Sequence, residues 1–171
     1  MKLGIEELKA SVGVGGAKLE IYIPKPNYKL DESLNGKVLL LGGQVKQEIS
    51  VLDICLIREW SWEVYSVGRD LDFWGVGRGA QSTMSVSAQG EYERDEDKGT
   101  DEIFRIELAT DFRVRAGDKK EFPFRFNLSS IQKEKGVNEK WKLQARAYII
   151  FAKDATAQKE INLIIPSKAT K

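Results

Sequence analysis

Hydrophobic and polar residues alternate with a period of two along much of this chain. The clearest run is 121–128, where Phe122, Phe124, Phe126 and Leu128 repeat every second residue and Glu121, Arg125 and Asn127 fall between them. Successive side chains of an extended strand point to opposite faces, so this spacing builds an aromatic ridge on one face. Burying each Phe is worth about 1.5–3 kcal/mol, which requires a second layer for the ridge to pack against. Residues 104–114 precede it across the turn Arg115-Ala116-Gly117-Asp118-Lys119 and alternate in the same way. The pattern predicts an all-β, antiparallel β-sandwich.

The same reading places the other elements. Ile5, Leu8 and Val12 sit at helical spacing and predict a short N-terminal helix, broken by Gly13, Gly15 and Gly16. Strands are expected at 17–24 and 34–41, separated by turns at 25–27 and 31–33, with Gly42-Gly43 bending or ending the second. Residues 45–60 form a long extended segment. Leu52, Ile54 and Leu56 share one face, and Val51, Asp53, Cys55 and Ile57 share the other, whose mixed character implies partial cover. Residues 45–57 are also a candidate exposed edge, the most physical route to a dimer or to peptide capture. Residues 61–101 are rich in Gly, Ser and acids and read as a long hairpin or insertion, with a strand at 81–92. Strands resume at 102–108, 112–114 and 120–128. A polar connection at 129–138 has room for one helical turn. Residues 141–151 alternate again, with Trp141, Leu143, Ala145, Ala147, Ile149 and Phe151 on one face. A last strand at 161–165 ends at Pro166. No linker divides the chain, so 1–171 reads as a single domain.

Composition then removes whole classes of function. Lys and Arg number 27 against 26 Asp and Glu, and a net charge of +1 gives no electrostatic reason to expect nucleic acid or an anionic membrane as the main partner. With Cys55 alone, no intrachain disulfide forms, which fits a reducing compartment. The first residues lack the apolar core of a signal peptide, and no apolar run reaches the roughly 18 residues of a spanning helix. The expectation is a cytoplasmic protein without a transmembrane segment. The chain has no histidine. That removes the usual nucleophilic triads and an imidazole base, and with one Cys it removes a structural zinc site. No catalytic residue, cofactor or metal is expected, and the chain is read as not an enzyme.

Several motifs in order resemble a known family. Tyr28-Lys29-Leu30-Asp31-Glu32-Ser33-Leu34-Asn35-Gly36-Lys37-Val38 resembles the entry segment of arrestin-like domains, and Gly117 followed by Phe122-Pro123-Phe124-Arg125-Phe126 resembles one of their strands. Leu8 to Lys18, Gly42-Gly43-Gln44-Val45-Lys46-Gln47-Glu48-Ile49, Trp141-Lys142-Leu143, Ala152-Lys153-Asp154 and Ile164-Ile165-Pro166 narrow the likeness. Together they are similar to the sporulation-control family (stage-zero sporulation protein M type), and to its N-terminal arrestin-like domain only. The resemblance implies an arrestin-like, immunoglobulin-like β-sandwich and a regulatory or scaffolding role through protein contacts, without catalytic residues. The glycine-rich and acidic insertion at 61–101 departs from the family pattern.

Each candidate site has a plain structural alternative. Gly13, Gly15, Gly16 and Lys18 lack the Gly-Lys-Ser/Thr order of a phosphate loop and read as a turn leading into a strand. Glu91, Glu93, Asp95, Glu96, Asp97, Asp101 and Glu102 could offer oxygen to calcium, but Arg94 and Lys98 interrupt them and a solvated hairpin tip explains them. Phe73, Trp74 and Arg78 either fold over the sandwich end or anchor a partner. Trp60 and Trp62 share a face, as sheet cover or as a contact platform. Cys55, inside an apolar strand, reads as an inert small hydrophobe. The expected function is therefore a non-catalytic interaction scaffold or regulatory adaptor, working through strand edges and end loops, with a homo-oligomer as one outcome. The alternative is a carbohydrate- or lipid-binding sandwich that uses exposed Trp. A carboxylate hydrolase would need two acids about 5–9.5 Å apart across a cleft, and no pair in the chain suggests one.

Overall fold

A computed structural model describes residues 15–66, 93–133 and 137–164, apart from the side chains of 63–66 and 93–96. The expected N-terminal helix, the strand at 81–92 and the candidates Phe73, Trp74 and Arg78 lie outside these residues.

The period-two segments become two sheets. β1 (Lys18–Tyr22), β3 (Ser33–Leu41) and β6 (Lys119–Asn127) form a three-stranded sheet in the order β1-β3-β6. β2 (Asn27–Lys29), β4 (Gln47–Ser66), β5 (Glu93–Val114), β7 (Asn138–Ile149) and β8 (Ala155–Ile164) form a five-stranded sheet in the order β2-β8-β7-β4-β5. All pairings are antiparallel except β2 with β8. Burying one face of each sheet unites them in one core. Leu34, Val38, Leu40, Phe124 and Phe126 of the smaller sheet meet Leu52, Ile54, Leu56, Leu143 and Ala145 of the larger. Aromatic pairs close the gap between the layers: Phe104 stacks on Phe126 with centroids 5.9 Å apart, and Phe112 meets Phe122 at 5.6 Å.

The family motifs have packing reasons. A Cβ on Gly36 would lie 2.5 Å from the Phe124 ring and 2.6 Å from the Tyr22 carbonyl, so the residue two before Val38 must be glycine for the aromatic ridge to seat. Pro123 is tolerated because β6 is an edge strand, where a missing N–H breaks no ladder. Gly15 has φ +72 and Gly43 packs on it, with a would-be Cβ 2.1 Å from the Gly15 carbonyl. The glycines at the chain's start therefore build a turn against the β3–β4 connection, and Lys18 begins β1 with its side chain exposed.

Several expectations are corrected. Residues 45–57 are not an edge: β4 lies between β7 and β5, and the outer strand is β5. The acidic residues 93–102 are not a loop tip; they are the first half of β5, paired one-to-one with residues 57–66 of β4. The predicted strands at 102–108 and 112–114 are one strand with bulges. The expected turn at 25–27 ends in β2, whose three residues give the sheet a parallel edge. Phe151 does not continue the apolar face of β7. That strand stops at Ile149, and Phe151 sits in the following turn at φ 59 and 96% exposed. The helical turn in the polar connection is a 3-10 turn at Leu128–Ser130, capped by the Asn127 side chain, which accepts from the Ser129 N–H at 3.1 Å.

Candidate functional site

β4 is twice the length its sheet partners in the other layer require. Twenty residues at about 3.3 Å each reach about 66 Å, whereas the nine of β3 reach about 30 Å. The pairing of β4 with β7 ends at Ser61 opposite Asn138, while that with β5 continues to Ser66 opposite Glu93. A two-stranded arm therefore runs on from this end of the sandwich.

The inner face of β4 changes chemistry as it leaves the core. Leu52, Ile54 and Leu56 are fully buried; at the same parity come Arg58, Trp60 and Trp62. Arg58 lies beside Asp101 on β5 and Trp141 on β7. Its Nη2 donates to Asp101 Oδ2 at 2.6 Å, its Nε to the same oxygen at 3.2 Å, and its Nη1 to Glu139 Oε1 at 3.4 Å. The Glu139 side chain is only 1% exposed, and its Oε2 is buried with no hydrogen-bond partner among the described residues. Trp141 Nε1, two residues along the same face of β7, is also buried without a partner. One guanidinium thus faces two carboxylates where the apolar core gives way to the arm.

Above this cluster Trp60 lies over Gly99, where a Cβ would come within 2.4 Å of the indole. Trp62 meets Trp60 edge-on, with centroids 6.3 Å apart, and is 46% exposed. A cleft of about 810 Å³ opens here, lined by Trp60, Lys98, Gly99, Asn138, Glu139 and Lys140 among others. The expected shared face of Trp60 and Trp62 is present: Trp60 is half-buried cover, and Trp62 is a solvent-facing platform.

A second polar cluster lies on the outer face of the large sheet. Bulges create it. The pairing shifts between Leu56 and Ile57, so that Phe104 and Glu102 face consecutive residues of β4. The extra residue, Ile103, brings Glu102 and Arg105 to one face, although three residues apart they would otherwise lie on opposite faces. Arg105 donates to both Glu102 oxygens at 2.9 and 2.6 Å and to Asp53 Oδ2 at 2.8 Å. Burial raises the Asp53 carboxyl above its ordinary value, against the lowering by Arg105 and Arg146. The hydrogen bonds from Arg105 lower Glu102. Cys55, next to Asp53 on this face, is buried, and desolvation pushes its thiol up to about 11. This is the partial cover the mixed face of 51–57 implied, and it leaves the thiol protonated. Among the described residues, no three His, Cys, Asp or Glu side chains gather as a metal site, and no helix is long and apolar enough to cross a membrane.

The sequence brought Trp60 and Trp62 forward, and Asp101 only as one of a run of acids, but missed Arg58, Glu139 and Gly99. The available signal was the arginine at an inward position of a strand, since an inward cation demands carboxylate partners.

Two packed, mostly antiparallel layers with a long two-stranded arm make an arrestin-like β-sandwich. Within that class, residues 5–69 match the family described as SpoOM protein (Spo0M). The fold is also that of Spo0M, the sporulation control protein from Bacillus subtilis, whose crystal structure aligns with a TM-score of 0.60 at 18% identity over 88% of this chain and 50% of that one. The chain thus spans about half the length of that protein. No curated protein matches the sequence. The resemblance read from the motifs is borne out by both comparisons. The family match contains the Tyr28–Val38 and Gly42–Ile49 motifs, and the aromatic strand at 122–126 stands in the shared fold.

Proposed function

We propose that this chain is a non-catalytic, cytoplasmic interaction adaptor of the sporulation-control type, and that it holds an extended segment of a protein partner on the β4–β5 arm. The observation that carries the reading is the contrast along the outer edge of β5. Near the core this edge is irregular: register shifts fall at Ile103 and Leu108, and Asp111 has φ 48. Such bulges spoil pairing with another chain. Along the arm, residues 93–102 match β4 one-to-one and offer a regular ladder edge that no described strand occupies. A segment added there runs beside Gly99 and Thr100 of β5, next to the face that carries Trp60 and the Trp62 platform. Aromatic side chains at such a place are typical binding anchors.

The test is capture with crosslinking from native lysate, using the wild type and Trp62→Ala. The reading expects one or more proteins held by the wild type and lost with Trp62→Ala at an unchanged melting temperature. Recovery of the bait alone, or equal capture by the variant, overturns it. The half-exposed Trp62 also suits a sugar- or lipid-stacking module; quenching of Trp fluorescence by glycans or vesicles that is lost with Trp62→Ala would favour that second reading.

A further inference from the structure

At the opposite end of the sandwich, the turn from β7 to β8 holds an aromatic ring in solvent. Phe151 is 96% exposed and Ile150 beside it 42%. Phe151 also has φ 59, the left-handed region that Gly or Asn enters readily and a bulky residue does not. The turn is fastened, not frayed. The Ile150 N–H donates to the Glu48 carbonyl at 2.9 Å, the Ile149 N–H to Asp154 Oδ1 at 3.2 Å, and the Ala152 N–H to the Ile149 carbonyl at 3.4 Å. Backbone strain kept in place by its surroundings clusters where a protein binds something.

The surface around the ring indicates what it meets. Lys18 and Lys119 both pair with Leu41, forming the last row of the small sheet, and Gly42 and Asp118 tie the next two turns together. Lys46 precedes Glu48, Arg113 lies opposite Glu48, Arg115 follows β5, and Lys153 is in the Phe151 turn itself. These cations are all exposed, and they outnumber the carboxylates at this end, Glu48, Asp111, Asp118 and Asp154. The Glu48–Arg113 ion pair removes one of each sign and leaves Lys18, Lys46, Arg115, Lys119 and Lys153 against three carboxylates, of which Asp118 and Asp154 accept from the Arg115 and Ile149 N–H groups. The whole chain is nearly neutral at +1, so this end is more basic than the rest.

We propose that this end of the sandwich docks reversibly on an anionic lipid surface, with Phe151 and Ile150 entering the headgroup–acyl boundary and the basic rim facing acidic headgroups. An aromatic ring suits that boundary, and cations near an anionic leaflet add attraction that salt screens. Two apolar side chains and a modest basic rim give weak adhesion, not permanent anchoring. The surface is separate from the β4–β5 arm, so it stands or falls independently of the adaptor reading.

The test is co-sedimentation with vesicles of phosphatidylcholine mixed with phosphatidylserine, against phosphatidylcholine alone, at low and high salt. The wild type is expected to bind the mixed vesicles at low salt, and to bind far less at high salt or on phosphatidylcholine alone. Phe151→Asn is expected to weaken binding about tenfold or more, while its melting temperature rises by about 2–4 °C from relief of the left-handed Phe. Trp62→Ala is expected to leave vesicle binding unchanged. Failure of the wild type to bind mixed vesicles, equal binding to phosphatidylcholine alone, or full binding by Phe151→Asn overturns the proposal.

Discussion

Arg58→Ala tests the link between core and arm most directly. The guanidinium faces Asp101 and Glu139, whose environments differ. Asp101's side chain is 42% exposed and can return to water, so its share of the loss is under about 1 kcal/mol. Glu139's side chain is 1% exposed and its second oxygen has no partner among the described residues. Removing its cation leaves a buried, uncompensated carboxylate, a change that costs about 3–5 kcal/mol. Opening of the adjoining cleft places the expected total near the low end, at about 3 kcal/mol. For a domain of this length each kcal/mol moves the melting temperature by about 2–4 °C, so the expected fall is about 6–12 °C. Thermal unfolding followed by circular dichroism reads it. Arg58→Ala with Glu139→Gln is the decisive companion. It removes the orphaned charge and is expected to recover about half of the loss, giving a coupling between the two positions of more than about 1 kcal/mol. A fall of less than about 2 °C for Arg58→Ala, or a double variant no more stable than the single one, refutes the electrostatic account.

Asp53 gives a pH signature opposite to that of an ordinary paired carboxylate. Burial raises its folded pKa above the unfolded value of about 3.9. The folded state therefore binds the proton more readily, and the cost of keeping Asp53 ionised is present above the raised value and relieved as pH falls through it toward the unfolded one. Glu102, lowered by Arg105, acts with the other sign and loses its contribution as pH falls through its folded value. In urea titrations Asp53→Asn should therefore lose stability relative to wild type on acidification through the Asp53 window; parallel curves would show that the buried carboxyl does not titrate as described. Cys55, with its thiol pushed up to about 11 and its side chain buried, should resist iodoacetamide in the folded protein near neutral pH and react fully in denaturant. Rapid labelling of the native protein would overturn its assignment as an inert part of the sheet.

The alternating segments show why much of the architecture was legible from the chain alone. Phe122, Phe124 and Phe126, or Leu143, Ala145 and Ala147, carry their side of the core in their spacing, because a strand has only two faces and water accepts only one of them. Gly36, Gly42, Gly43 and Gly117 marked close approaches and turns for the same local reason. Residues 93–102 were harder, because a run of acids on a paired strand has the composition of a loop; only the facing residues of β4 make it a strand.

Tertiary pairing decided the rest. Which strand is an edge depends on partners far away in sequence, so the placement of β4 inside the sheet, with β5 at its border, was not written in 45–57. The meeting of Arg58 with Glu139, 81 residues apart, and the bulge that turns Glu102 and Arg105 to one face, depend on strand register. So does Phe151, whose apolar period points inward until the chain reverses at Ile149 and leaves the ring outside. Period and composition act within a few residues and thus determined the two-faced strands and the layered class. Register, edges and strained turns arise only when distant strands compete for the same hydrogen bonds, and there the candidate surfaces of this protein were made.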